Sequence, residues 1–424
     1  MHFRSRAMKI GAAASLLTAA AVAITIAVPA NADTAARSGD VVGVGSDTIQ
    51  NAADFLFDGA PGVAGGYNNL DNNSRVLNFF ATGDANGRAT YDGTCGTVPA
   101  SGTGTGLAPL CSSTQSGAPN LLPATVVLRD GTNPVVRPNG SGAGIAALVA
   151  DGTTGYQGLP TDSIQFARAS RLPNSTEEGT CTPTTAGCGG LHVYQIATDQ
   201  LQIAHATTGY KGPSALSADE LYNIFVTCKY TTWNQLPGNT SGSSDTIHPL
   251  IPQSGSGTRN FFLADLQAAE GLSSTLSPGP CTRTVEEHDP TGIYQDSTPG
   301  DAIEPFSAGK IALINSGYFQ NAGYTGANGN AYTKGFLSLL SGGTGTTAPD
   351  GKPGYDSTRG LYIVLRQNDL ASTTPFQAGS TENWANTLFV GANSYAARSA
   401  NAAEISAAGF TPAYKDCGVN PTSC

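Results

Sequence analysis

The stretch Gln253-Ser254-Gly255-Ser256-Gly257-Thr258-Arg259 stands between the apolar run Ile247-His248-Pro249-Leu250-Ile251 and the helically spaced Asn260-Phe261-Phe262-Leu263-Ala264-Asp265-Leu266. An apolar run, a Gly/Ser turn and 3.6-residue spacing, in that order, predict a strand, a tight loop and the start of a helix. Such a loop leaves several backbone N–H groups unpaired and aimed at one spot, at the positive end of the helix dipole. The glycines let the backbone come close, Ser256 and Thr258 add hydroxyl donors, and Arg259 adds a full positive charge. The occupant that suits this spot is a small oxyanion. Taken alone, the stretch also fits a flexible linker followed by an ordinary capped helix.

The same order recurs twice. Asp40-Val41-Val42-Gly43-Val44-Gly45-Ser46-Asp47-Thr48 runs into Ile49 to Phe57, with Ser46 or Asp47 placed to cap a helix. Val126-Val127-Leu128 and Val135-Val136 lead to Asn139-Gly140-Ser141-Gly142-Ala143-Gly144-Ile145 and a further helix start. Three such junctions in one chain argue against linkers, because turns at the carboxyl ends of strands in an α/β sheet converge on one ligand. Ile164 to Ala167 reads as a short strand, with Arg168, Ser170 and Arg171 at its end.

Further on, His192 to Ala197 and Leu201 to Ala204 alternate like two strands, and Leu216-Ser217-Ala218-Asp219-Glu220 opens a capped helix running to Phe225. Ile311 to Ile314 reads as a buried strand, Gly360 to Leu365 as another, and Trp384 to Val390 as a helix. Strands alternating with helices make this an α/β protein.

The first 32 residues read as a secretory signal peptide. Arg4, Arg6 and Lys9 precede an apolar run from Ile10 to Val28, and Ala30-Asn31-Ala32 is a small-x-small cleavage site. Without it the formal charge moves from −10 to −13. An acidic chain argues against nucleic acid and anionic membranes as partners, yet it leaves a local anion site open, because distant charges are screened. The eight cysteines begin at Cys95, so none stands at the cleavage site as a lipid anchor, and a secreted, extracellular protein is expected. An even count in an exported chain implies disulfides, and sequence order suggests 95–111, 181–188, 228–281 and 417–424. The stretch 83–120, rich in Gly, Thr, Ser and Pro, reads as a stapled excursion without chemistry. Scattered histidines and the lack of a C-x-x-C pair give no metal site, and no cofactor is expected.

These motifs resemble the phosphate-binding members of the periplasmic solute-binding protein family, the receptors of phosphate ABC importers. The family's opening turn resembles Gly43-Val44-Gly45-Ser46-Asp47-Thr48, its second loop Gly140-Ser141-Gly142-Ala143-Gly144, and its Gly-Ser-Gly-Thr motif Gly255-Ser256-Gly257-Thr258 with Phe261 and Phe262. Leu216 to Phe225, through Thr232-Trp233, is similar to the segment ahead of that motif. The resemblance covers roughly Val41 to Leu365, with a large insert at 83–135. It implies a two-lobed α/β type 2 periplasmic-binding-protein fold, hinged, with the ligand cleft between lobes. Lobe 1 would take residues 40–195 plus 318–424, and lobe 2 residues 196–317. The ligand-binding set it implies is Ser46, Asp47, Thr48, Ser141, Gly142, Ser170, Ser256, Gly257, Thr258 and Arg259, with Arg168 beside them.

Two departures bear on the ligand. Ser170 stands where the family carries an aspartate that accepts the proton of hydrogen phosphate, so discrimination against sulfate is expected to weaken. Pro252 stands nearest the family's arginine ahead of Gly-Ser-Gly-Thr, which leaves Arg259, with Arg168 or Arg171, to supply the charge. The absent anchor cysteine is a third departure, since tethered receptors feed an importer and a free one scavenges or signals.

The expected function is therefore a secreted solute-binding protein for phosphate or a similar oxyanion, not an enzyme, monomeric, with an ABC importer as the implied partner. A secreted phosphoesterase-like hydrolase using a loop serine is the alternative from another class. No G-x-S-x-G elbow or H-E-x-x-H motif supports it, and His192, His205, His248 and His288 have no evident partner in sequence. A ligand-free wall or interaction module on the same fold is the third reading.

Overall fold

The structure is a computed structural model that describes residues 35–63, 65–70, 75–81, 125–324, 329–371, 384–398 and 401–424. The expected signal peptide, the 83–120 excursion and the Cys95–Cys111 pair lie outside these residues.

One ten-stranded sheet organises the described chain. Its strands are β1 (Val41–Gly45), β2 (Val76–Asn78), β3 (Phe166–Ala169), β4 (Leu191–Ala206), β5 (His248–Pro252), β6 (Arg283–Val285), β7 (Ala302–Ser307), β8 (Leu337–Leu339), β9 (Ser357–Arg366) and β10 (Thr411–Val419). They run in the order β2-β1-β3-β9-β4-β7-β5-β6, with β8 and β10 also paired to β4. At one end β2, β1 and β3 are parallel, at the other β7, β5 and β6 are parallel, and antiparallel β9 and β4 join them. The helices that matter to the site are α1 (Gln50–Asp58), α2 (Ser141–Thr153), α3 (Ala218–Phe225), α4 (Gly257–Ala269) and α5 (Ala308–Asn315). This is a mixed α/β fold built on one central sheet.

Two elements differ from the sequence expectation. The segments 192–197 and 201–204 form a single 16-residue strand, β4. Thr198-Asp199-Gln200 interrupts the apolar alternation between the two segments, but Asp199 is buried against partners from three places. Arg359 Nε and Nη2 donate to its Oδ2 at 3.1 and 2.8 Å, and Ser307 Oγ and the Gly309 N–H donate to Oδ1 at 2.9 and 3.2 Å. A buried ion pair thus carries the strand across its polar patch. Ile311 to Ile314 is the other correction. It lies inside helix α5, capped by Ser307, whose side chain accepts from the Lys310 N–H. A four-residue apolar run fits one helical turn as well as a strand, and the strand lies just upstream, in β7.

Aromatic packing fixes the helices that present the loops. Phe57 of α1 meets Phe166 edge-on at 5.7 Å, and buried Phe262 of α4 meets Phe225 at 5.1 Å and Tyr355 at 5.6 Å. Full burial of each such ring contributes about 1.5–3 kcal/mol. Disulfides join Cys181 to Cys188, Cys228 to Cys281 and Cys417 to Cys424, as sequence order suggested.

Candidate functional site

The three Gly/Ser turns and the end of β3 meet at one place. Ser46 follows β1, Ser170 follows β3 and Ser141 is the first residue of α2. Their hydroxyls touch: Ser46 Oγ donates to Ser170 Oγ at 3.4 Å, Ser141 Oγ lies 3.3 Å from Ser170 Oγ, and the Ser170 N–H donates to Ser141 Oγ at 3.0 Å. The turn after β5 closes over them from the other end of the sheet. The Gly142 N–H donates to the Gly255 carbonyl at 3.0 Å. Gly140 and Gly255 both hold positive φ, 88° and 90°, and a Cβ on Gly140 would press on the Gly255 carbonyl. A Cβ on Gly257 would collide with the hydroxyls of Ser141 and Ser170. Only glycine permits this approach.

On its other side the loop faces an acidic and cationic cluster. Ser256 caps α4 by accepting the Arg259 N–H at 3.0 Å, and its own hydroxyl donates to Glu287 Oε1 at 2.7 Å. The Thr258 N–H donates to the same oxygen at 3.0 Å, and Thr48 Oγ1 reaches it at 3.5 Å. Thr48 and Thr258 hydroxyls lie 3.3 Å apart, each 3.0 Å from His288 Nε2. The Ser307 N–H donates to His288 Nδ1 at 3.4 Å, and Arg359 Nη2 lies 3.4 Å from Nε2. Burial, and then the charges of Arg359 and Lys310, hold the imidazole well below its ordinary pKa, so it is neutral.

The remaining expected residues fall into place as follows. Asp47 does not cap α1, which has no side-chain cap. Its carboxylate instead takes Gln50 Nε2 at 3.0 Å and pairs with buried Lys310 at 3.2 Å. Arg168 is fully buried beneath the first turn and is committed to the chain itself. Its Nε donates to Ser46 O at 3.1 Å and its Nη2 to Gly45 O and Phe79 O at 2.9 and 2.8 Å, while Nη1 meets Asn78. Burial pushes its pKa down to about 10. Arg171 pairs with Glu177 at 2.7 Å. Arg259 is half-buried, lowered in pKa by that burial, and its Nη1 donates to Pro252 O at 3.2 Å.

Two cations at the centre escaped the sequence reading. Arg359, the third residue of β9, donates from Nη1 to Thr258 Oγ1 at 2.7 Å. Lys310 reaches Asn51 Oδ1 at 2.9 Å as well as Asp47. Glu287 and His288 were missed likewise. None of the four sits in a Gly/Ser motif; the one usable signal was a charged residue at the head of an apolar strand, Arg359 before Gly360 to Leu365.

Among the described residues no group of His, Cys, Asp or Glu is arranged to hold a metal, and no helix is long and apolar enough to cross a membrane.

A family model described as a PBP superfamily domain matches residues 91–386, well over half of the chain. No curated protein matches the sequence. Among solved structures, a substrate-binding protein with bound phosphate from Clostridium perfringens is similar at 12% identity, covering 88% of this chain and 99% of its own, with a TM-score of 0.47. An ABC-type phosphate transport receptor from Vibrio cholerae is similar at 14% identity, covering 88% and 100%, with a TM-score of 0.43. The ancestral soluble variant of the human phosphate binding protein is similar at 15% identity, covering 88% and 90%, with a TM-score of 0.44.

Proposed function

The chain belongs to the PBP (periplasmic binding protein) superfamily, and from that premise we propose that it is a secreted solute-binding protein for phosphate or a similar small oxyanion. In this reading the cleft lies between a lobe of residues 40–195 plus 318–424 and a lobe of residues 196–317. Ser46, Asp47, Thr48, Ser141, Gly142 and Ser170 would serve from one wall, and Ser256, Gly257, Thr258 and Arg259 from the other.

One observation carries the reading: the donors of the Gly-Ser-Gly-Thr loop already hold an oxyanion-shaped group, the Glu287 carboxyl, through Ser256 Oγ and the Thr258 N–H. A carboxylate and a phosphate face present similar acceptor oxygens to such donors. Arg359 behind Thr258 adds positive charge without needing Arg168, whose donors are spent on backbone carbonyls. A serine hydrolase is less well supported, because Ser46, Ser141 and Ser170 bond to one another and His288 Nε2 meets threonines. An ABC importer is the partner class the family suggests.

Charge-assisted hydrogen bonds contribute about 1.5–3 kcal/mol each, so a few of them support micromolar affinity, about −8 kcal/mol. The test is calorimetric titration of the purified protein, stripped of bound solute, with phosphate and then sulfate. Micromolar heat with phosphate supports the reading, and sulfate binding alongside it would widen the ligand to tetrahedral oxyanions. Silence with both overturns it.

A further inference from the structure

Glu287 is an unusual occupant of an oxyanion seat because it belongs to the protein. It is fully buried, yet only Oε1 is engaged, by Ser256 Oγ at 2.7 Å, the Thr258 N–H at 3.0 Å and Thr48 Oγ1 at 3.5 Å. Its Oε2 has no hydrogen-bond partner among the described residues. The backbone beneath is pinned: the Glu287 N–H donates to Gln253 Oε1 at 2.8 Å, and Gln253 Nε2 donates to Asn139 Oδ1 at 3.0 Å. A buried carboxyl oxygen left without a donor costs free energy, and the side chain is held through one oxygen only while its backbone is pinned separately.

We propose that Glu287 is a built-in competitor for the solute, its carboxyl standing on the Ser256 and Thr258 donors until an arriving oxyanion displaces it. The proposal rests on the oxyanion reading above and names what sets the affinity of that site. Seat and side chain are in equilibrium, so the apparent affinity falls by the fraction of molecules whose seat is open. A carboxylate that has moved aside but stays close also repels the incoming anion.

The experiment is phosphate titration of wild type, Glu287→Gln and Glu287→Ala, each checked for folding by its thermal transition. Glu287→Gln keeps the shape and an acceptor oxygen but removes the charge; Glu287→Ala empties the seat. Tighter binding is expected in both, by about tenfold or more in Glu287→Ala. Acetate should then compete with phosphate in Glu287→Ala, because it refills the vacated position, and should have less effect on wild type. If Glu287→Ala does not fold, Glu287→Gln alone decides. Equal or weaker phosphate binding in the folded variants, with wild type still binding, overturns the competitor and leaves the oxyanion site standing. Silence in all three proteins overturns the oxyanion reading, and the competitor with it.

Discussion

Arg359 Nη1 donates to Thr258 Oγ1 at 2.7 Å while Nε and Nη2 of the same guanidinium grip Asp199 Oδ2 at 3.1 and 2.8 Å. One side chain on β9 therefore ties the middle of β4 to the first turn of α4. Only a planar fork with several donors can do both. Arg359→Lys should fold but lower phosphate affinity about tenfold. Arg359→Met strands the buried Asp199 carboxylate and should cost about 3–5 kcal/mol of stability. Denaturant unfolding of the two variants beside calorimetry separates the effects; a fully stable Arg359→Met would show the pair to be dispensable.

Thr258 meets Thr48, His288 and Arg359 through one hydroxyl. Thr258→Val keeps the shape and removes that oxygen. The expected outcome is a stability loss of about 1–3 kcal/mol, for the donors left unpaired, with phosphate binding weakened as well. Unchanged affinity would move the ligand off this hydroxyl.

The two arginines that flank the motifs in sequence should behave oppositely. Arg168→Met leaves the buried carbonyls of Gly45, Ser46 and Phe79 without donors, at about 1–3 kcal/mol for each one unsatisfied. Arg259→Ala should change stability by no more than about 0.5 kcal/mol, while making phosphate binding weaker and less sensitive to salt. Titrations at two ionic strengths check the second point. A salt-sensitivity loss in Arg168→Met rather than Arg259→Ala would reverse the roles.

Glu220, in the capping box of α3, accepts the Ser217 N–H at 3.1 Å, and burial pushes its carboxyl up to about 7 from an ordinary 4.5. Between those values the folded chain binds more protons than the unfolded one, so stability falls as pH rises. The contribution is complete below about 4.5 and gone above about 7. Glu220→Gln, which cannot ionise, should flatten the decline in melting temperature between these limits. Parallel slopes for the two proteins would contradict it.

The turns were legible because each depends on local chemistry: Gly140 and Gly255 need positive φ, and Ser256 caps the helix that follows it. The charges were not, since their placement depends on residues far away in the chain. Arg359 reaches Thr258 across 101 positions and Lys310 reaches Asn51 across 259. Arg168 misled for the same reason. Its position after a short strand suggests a ligand, and only the folded first turn reveals the carbonyls that claim it. Asp199 likewise divides a strand on paper that its distant partner Arg359 makes continuous.

Strand β4 is complete only late in the chain. Leu201 pairs with Ser357 on one edge and with Ser307 on the other, and Tyr194 pairs with Ile363 and Asp416. A nascent chain that has just made residues 191–206 therefore carries two unsatisfied edges until partners 100 to more than 200 residues downstream arrive. Pairings so distant in sequence form slowly, and open edges in the meantime invite aggregation. Loss of the last strand, 411–419, would leave one of those edges open for good.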